Sequence, residues 1–272
     1  MTLAGETFDE IKQQARVWFY DLRLAATFLT RLAIPMPERA LEPGDLSRAM
    51  RAYPVVGAGI GLVAGLVLMA ASELNLAPIA CAMLGLAAAA LLTGALHEDG
   101  LADTVDGFAG GRTRAEKLEI MRDSHIGAFG VLALVFSVGI RAALLSGVPG
   151  PGTALLVLVV SGAVSRAPLA VIAIRLDPAR KDGLSGTLGR PQPGHVITST
   201  ILAALISFLA LGFLEGGAVA TLWVLLAVAL ATGLIAWIAI KQIDGHTGDV
   251  MGAVQQVSEI AALIAIGSVL AW

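Results

Sequence analysis

The chain has 272 residues, 57% of them apolar and 14% charged, with a formal net charge of -3. Its mean hydropathy of +0.81 excludes an ordinary soluble domain and leaves a polytopic membrane protein. The one cysteine, Cys81, excludes a disulfide framework or a thiolate metal site within a single chain.

Taken in chain order, Glu6, Asp9 and Glu10 precede any apolar run and no basic head is present, so no cleavable signal peptide is expected. Phe8, Ile11, Ala15, Trp18, Leu22, Ala25 and Leu29 then recur in alternating steps of three and four, with Lys12, Arg16 and Arg23 elsewhere on the wheel. That pattern is an amphipathic helix, lying either in the membrane interface or packed on the bundle.

Apolar runs long enough to cross about 30 Å of hydrocarbon fall near residues 53–72, 78–96, 126–146, 153–174, 196–214, 218–240 and 253–271. The expected fold is therefore all-α, a bundle of about seven transmembrane helices forming one domain over residues 1–272. In the first span Gly57, Gly61 and Gly65 recur at four-residue spacing, a small-residue stripe that lets another helix approach closely. Cations gather in alternate connections, at Lys12 to Arg51, at Arg112, Arg114, Lys117 and Arg122, at Arg180, Lys181 and Arg190, and at Lys241. The intervening connections carry none, which by the positive-inside rule makes the amino terminus and the polar loops cytoplasmic.

The segment HEDGLADTVDGFAGG, residues 97–111, concentrates acid where the second apolar run ends. On a helix Asp99, Asp103 and Asp106 stand at i, i+4 and i+7 and project within an arc of about 60°, with Glu98 pointing elsewhere. Three such carboxylates repel one another unless cations neutralise them, and Mg²⁺, which prefers oxygen ligands and bridges to phosphates, suits that face. Thr113 and Glu116 form a capping box, so a short cytoplasmic helix should start at Arg114 and run to about Asp123. Its amino end, beside Gly110, Gly111, Arg112 and Arg114, offers N–H groups and cations to a phosphate.

Two later segments belong to the same side. Residues 176–194 form a loop rich in turn formers, with Arg180 and Lys181 as phosphate contacts and Asp182 as a further carboxylate. Residues 244–259 place Thr247 and Asp249 at the start of the last span, with Gln256 and Glu259 deeper. Within the spans, Arg166 is expected to face the interior, whereas Arg141 is expected to snorkel to the far interface. His97 and His125 flank the acidic segment and are read as satisfied interfacial histidines rather than ligands.

The ordered blocks FLTRLAIP, YPVVGAGIGL, HEDGLADTVDGFAGGRTRAEKLEIMRDSHIGAFG, SRAPL with DPARKDGLSG, and HTGDVMGAVQQVSE resemble the cobalamin synthase family over nearly the whole chain. His125 and Asp244 depart from the pattern of that family. The resemblance implies a bacterial inner-membrane transferase that joins adenosylcobinamide-GDP to α-ribazole or its 5′-phosphate, releases GMP and requires Mg²⁺. It implies no nucleic-acid partner and leaves room for a homo-oligomer in the lipid bilayer. In this reading Asp99, Asp103 and Asp106 hold metal, and Asp106 or Asp249 is the general base. Arg112, Arg114, Arg166, Arg180, Asp182 and Thr247 contact substrate. A membrane phosphotransferase acting on a lipid nucleotide of the CDP-alcohol type shares the same acidic logic, and an ion transporter is the third reading.

Overall fold

A computed structural model describes all residues except 1–2, 38–39, 181–182, 213, 215 and 271–272. Apart from a single bridge between Pro178 and His246, the described residues are helical or irregular, which agrees with the all-α expectation.

Helix α1 (Leu3–Leu29) leads, followed by the short α2 (Asp45–Ala49) and a 3-10 turn (Met50–Ala52) that run into α3 (Tyr53–Glu73). Among the described side chains of the apolar stripe on α1, those from Trp18 onward dock. Ala25 and Leu29 are buried with Leu24, whereas Ile11 is 61% exposed. Asp21 explains where docking begins: it is fully buried because Arg48 and Arg51 reach it at 3.0 and 2.7 Å. Arg51 also lies over the Trp18 ring at 4.0 Å.

Six helical stretches are long and apolar enough to span: α2 through α3, α7 (Ala128–Gly147), α8 with α9 (Pro151–Val164 and Ala167–Arg175), α11 (Pro193–Leu211), α12 (Gly217–Ile243) and α13 (Gly248–Leu270). The remaining expected span, the second in chain order, departs from a straight rod. It is α4 (Pro78–Thr93) followed by α5 (Leu96–Gly110), bent by 90°. Gly94 and Ala95 make the break with φ of 66° and 57°; the left-handed conformation is ordinary for glycine and uncommon for alanine. The acidic residues thus sit on a separate helix rather than on the tail of a span.

The glycine stripe of α3 acts as its spacing predicts. A Cβ at Gly57 or Gly61 would collide with the carbonyl oxygen of Gly162 or Leu158, so α3 and α8 pack backbone to backbone. A second such contact positions the site. Gly100 of α5 rests against α13, where an added Cβ would stand 2.8 Å from the Asp249 carbonyl and 3.0 Å from the Gly252 Cα. The short helix α6 (Arg114–Ile120) and the one-turn α10 (Leu184–Leu188) complete the polar end.

Candidate active site

Helix α5 carries its acids on two sides. The close approach of Gly100 to α13 brings Asp99 and Asp103 up to Asp249, and the carboxylates of Asp99, Asp249 and Asp106 all act on Asp103 as like charges. Arg180 offsets part of this, reaching the Asp249 Oδ2 at 3.3 Å while donating to the Leu118 carbonyl at 3.5 Å. A cavity of about 450 Å³ opens beside this group. Glu98, Asp99 and Asp103 form one wall, and Met121, Arg122, Asp123 and Ser124 form the other. Arg122 and Ser124 were not among the expected site residues; their place in the MRDSHIG block, directly after the capped helix, was the available signal.

Asp106 is placed differently from its two companions. It is only 8% exposed, and its oxygens accept the backbone N–H groups of Gly127 at 2.7 Å and Gly130 at 2.8 Å. Those two bonds tie α5 to the first turn of α7 and satisfy N–H groups that a helix start leaves open. Glycine leaves room for this pairing, since a Cβ at either position would press on the Asp106 carboxylate and displace it. Among the described residues, no three His, Cys, Asp or Glu side chains are already drawn together as a metal cage.

Helix α6 has the capping box. The Thr113 hydroxyl accepts from the Glu116 amide at 3.2 Å, and Glu116 accepts from the amides of Arg112 and Thr113 at 2.8 and 3.3 Å. Those bonds hold the Glu116 carboxyl below the usual range. They also occupy three of the N–H groups at that end, those of Arg112, Thr113 and Glu116, and the helix ends at Ile120 rather than at Asp123. Arg114 likewise points inward: its guanidinium donates to the carbonyls of Ile243, at 2.8 Å, and Ala179. With Lys117 bonded to Gln242, it clamps α6 to the end of α12. Arg112 is exposed.

The loop from Leu176 to Arg180 is held by backbone pairing, Ala179 N–H to the His246 carbonyl at 2.8 Å and His246 N–H to the Asp177 carbonyl at 3.0 Å. The His246 imidazole between them is 2% exposed, and burial lowers its proton affinity. Thr247 is fully buried and caps α13, accepting the Val250 amide at 3.2 Å. Asp182 lies outside the described residues. In the exposed loop before α7, His125 Nδ1 donates to Asp123 at 2.7 Å, a bond that raises the histidine and lowers the aspartate.

Arg141 overturns its expectation. Instead of reaching the far interface it is 3% exposed, with Glu259 at 3.3 Å and Glu98 at 3.5 Å. Gln256 donates to Glu98 at 3.1 Å and accepts from Ser137 at 3.0 Å, and Gln255 reaches Glu259 at 2.6 Å and Ser165 at 3.0 Å. Snorkelling loses because a paired, hydrogen-bonded arginine inside the bundle needs no water. Arg166 faces the interior as expected, donating to the Gly162 carbonyl at 2.9 Å. It lines a separate buried void of about 20 Å³ with His97, Glu98 and Arg141, not the larger cavity. His97 is not satisfied there: its buried Nε2 has no protein partner.

Comparison with known proteins places these features in one family. The cobalamin-5-phosphate synthase family matches residues 21–267. The adenosylcobinamide-GDP ribazoletransferase of Bradyrhizobium diazoefficiens is 44% identical over 90% of this chain and 92% of its own. Enzymes of the same name from Brucella anthropi, at 44% over 87% and 92%, and Azorhizobium caulinodans, at 42% over 90% and 94%, agree. No solved structure matches. Ordered polar blocks from Asp21 to the last span thus coincide with a match over nearly the full chain, and the chain belongs to the cobalamin-5-phosphate synthase family.

Proposed function

We propose that the chain is an adenosylcobinamide-GDP ribazoletransferase, joining the cobinamide phosphate of its donor to α-ribazole or α-ribazole 5′-phosphate with release of GMP. The observation that carries this reading is the grouping of Asp99, Asp103 and Asp249, with Arg180 paired to Asp249 and Arg122 facing the same cavity as Asp99 and Asp103. Like-charged carboxylates held beside cations, at the edge of a cavity large enough for a small ligand, suit a diphosphate and a divalent ion together.

The residues fit Mg²⁺. Asp99 and Asp103 have acceptor oxygens at the cavity, and their mutual repulsion with Asp249 is relieved by a cation. Asp106, committed to two amides, would support them by fixing α5 against α7. When bound, the ion would supply charge neutralisation at the diphosphate and at the departing phosphate. The protein supplies the rest. A ribose hydroxyl of the ribazole attacks the phosphorus that bears cobinamide, the bond to the GMP oxygen breaks, and GMP departs. Such a displacement needs alignment and charge stabilisation more than covalent chemistry. Asp249 accepts the hydroxyl proton, since Asp106 has both oxygens occupied by N–H groups. Arg122 and Arg180 hold the anionic oxygens, and exposed Arg112 receives the outer phosphate.

The distribution of cations at the polar end supports a cytoplasmic placement of the site in the bacterial inner membrane. An ion transporter is disfavoured because the deep acid Glu259 is buried against Arg141 and Arg166 rather than open to a path. Incubating the purified protein with adenosylcobinamide-GDP, α-ribazole 5′-phosphate and Mg²⁺, with products weighed by mass spectrometry, tests the proposal. A cobalamin 5′-phosphate and GMP are expected; release of CMP from a lipid nucleotide instead would replace it with the lipid phosphotransferase.

A further inference from the structure

A second hollow, of about 400 Å³, lies between α9, α11 and α12, and it shares no lining residue with the carboxylate cavity. Its floor is buried and apolar, including Val164, Ile172, Ala203 and Val228. Its mouth faces outward, where Thr200, Ala229 and Gly233 are exposed on the surfaces of α11 and α12. The hydroxyl of Thr232 does not make the floor polar, because it is turned back to the Val228 carbonyl at 2.7 Å.

Shape and charge both select the occupant. On α12 the lining runs from Leu225 to Ala236 and on the opposite wall from Val164 to Arg175. Each covers twelve residues, and on the continuous α12 the eleven steps between its ends span about 16 Å at helical rise, which is close to half of the roughly 30 Å hydrocarbon core. The groove therefore has the length of one leaflet. Arg175 is the one charged residue lining it; it stands in the last turn of α9, exposed, with no ion pair or hydrogen bond among the described residues. An apolar slot one leaflet long, open sideways and ending at an unpaired guanidinium, matches a molecule with a chain below and an anionic oxygen group above.

We propose that this groove holds one acyl chain of an anionic glycerophospholipid from the leaflet on the side of the carboxylate site, with the lipid phosphate on Arg175. The proposal rests on the bundle spanning a membrane and not on the transferase reading, so either can fail without the other.

The test uses the full chain, washed in mild detergent, exposed to equal amounts of phosphatidylglycerol and phosphatidylcholine and measured by native mass spectrometry. Gly233→Phe is the blocking variant, since a Cβ at Gly233 meets nothing within 4 Å and the ring enters the groove rather than the core. Thr200→Phe blocks from the α11 side and serves if the first variant does not fold. The wild type should retain one phosphatidylglycerol, and either phenylalanine variant should retain none. Arg175→Gln should lower the preference for phosphatidylglycerol about tenfold, as expected for loss of a charge-assisted bond. Equal retention of the two lipids by the wild type, unchanged retention in the blocked variants, or occupation by detergent alone would overturn the proposal.

Discussion

The two sides of α5 handle charge in opposite ways. Glu98, at the edge of the cavity, turns its Oε1 to Arg141 of α7 and Gln256 of α13, so its charge is partnered within the protein. Toward the cavity, Asp99 and Asp103 meet further carboxylates, with Arg180 as the offsetting cation. Matched charge specifies how helices seat against one another, and it loses its value if either partner goes. Surplus negative charge does the reverse: it opposes the fold and is relieved when a cation arrives. Adjacent positions, Glu98 and Asp99, therefore belong to different tasks. Asp106, two turns beyond Asp99 on the same face, takes the structural task, because its oxygens accept the amides of Gly127 and Gly130.

The sharpest test of this contrast is Asp103→Asn. It should lower GMP release by about a thousandfold or more, the scale of a lost metal-holding group, while thermal stability without Mg²⁺ stays level or rises. A variant that turns over normally would place the cation elsewhere. Arg141→Leu attacks the other side. It leaves the buried Glu259 and the half-buried Glu98 without their shared cation and should cost about 3–5 kcal/mol, read as loss of folded protein in a thermal-aggregation assay. Replacing all three groups with apolar residues should recover much of that loss, whereas no recovery would show that the cluster does more than seat helices.

Gly100→Ala tests the contact that joins the two sides. Its Cβ would press on the Asp249 carbonyl and on Gly252, so a loss of about 1–3 kcal/mol is expected together with weaker Mg²⁺ dependence of turnover. Asp106→Asn keeps the shape but turns one acceptor oxygen into a donor facing an N–H. A loss of about 1–3 kcal/mol should show in the melting temperature, distinguishing it from Asp103→Asn, which spares stability. The smallest effect concerns pH. The buried His246 has a lowered proton affinity, so the unfolded chain binds the proton more readily. The histidine's contribution is present above the ordinary value of about 6.5 and is lost as pH falls below it. Protease cleavage within residues 176–190 should accordingly rise between pH 7.5 and 5.5, and His246→Gln should flatten that dependence.

Much of this was legible in the chain itself because it depends on local periodicity. Apolar length placed six of the spans, the steps of three and four marked α1, and Thr113 with Glu116 located the start of α6. Four-residue glycine spacing in α3 anticipated a close helix contact, and helical pitch put Asp99 and Asp103 on one face. What remained closed were facts set by partners distant in sequence. That α4 and α5 meet at a right angle, that Arg141 finds Glu98 and Glu259, and that Asp106 serves two glycine amides about twenty residues on all depend on which helices lie side by side. The same holds for Arg114, a cation in the sequence that the fold turned toward two carbonyls. Hydropathy and pitch are properties of neighbours along the chain, so the sequence determined the helices and the charge they carry. Neutralisation is a property of neighbours in space, so the tertiary structure alone decided which charges were consumed by folding and which were left for a ligand.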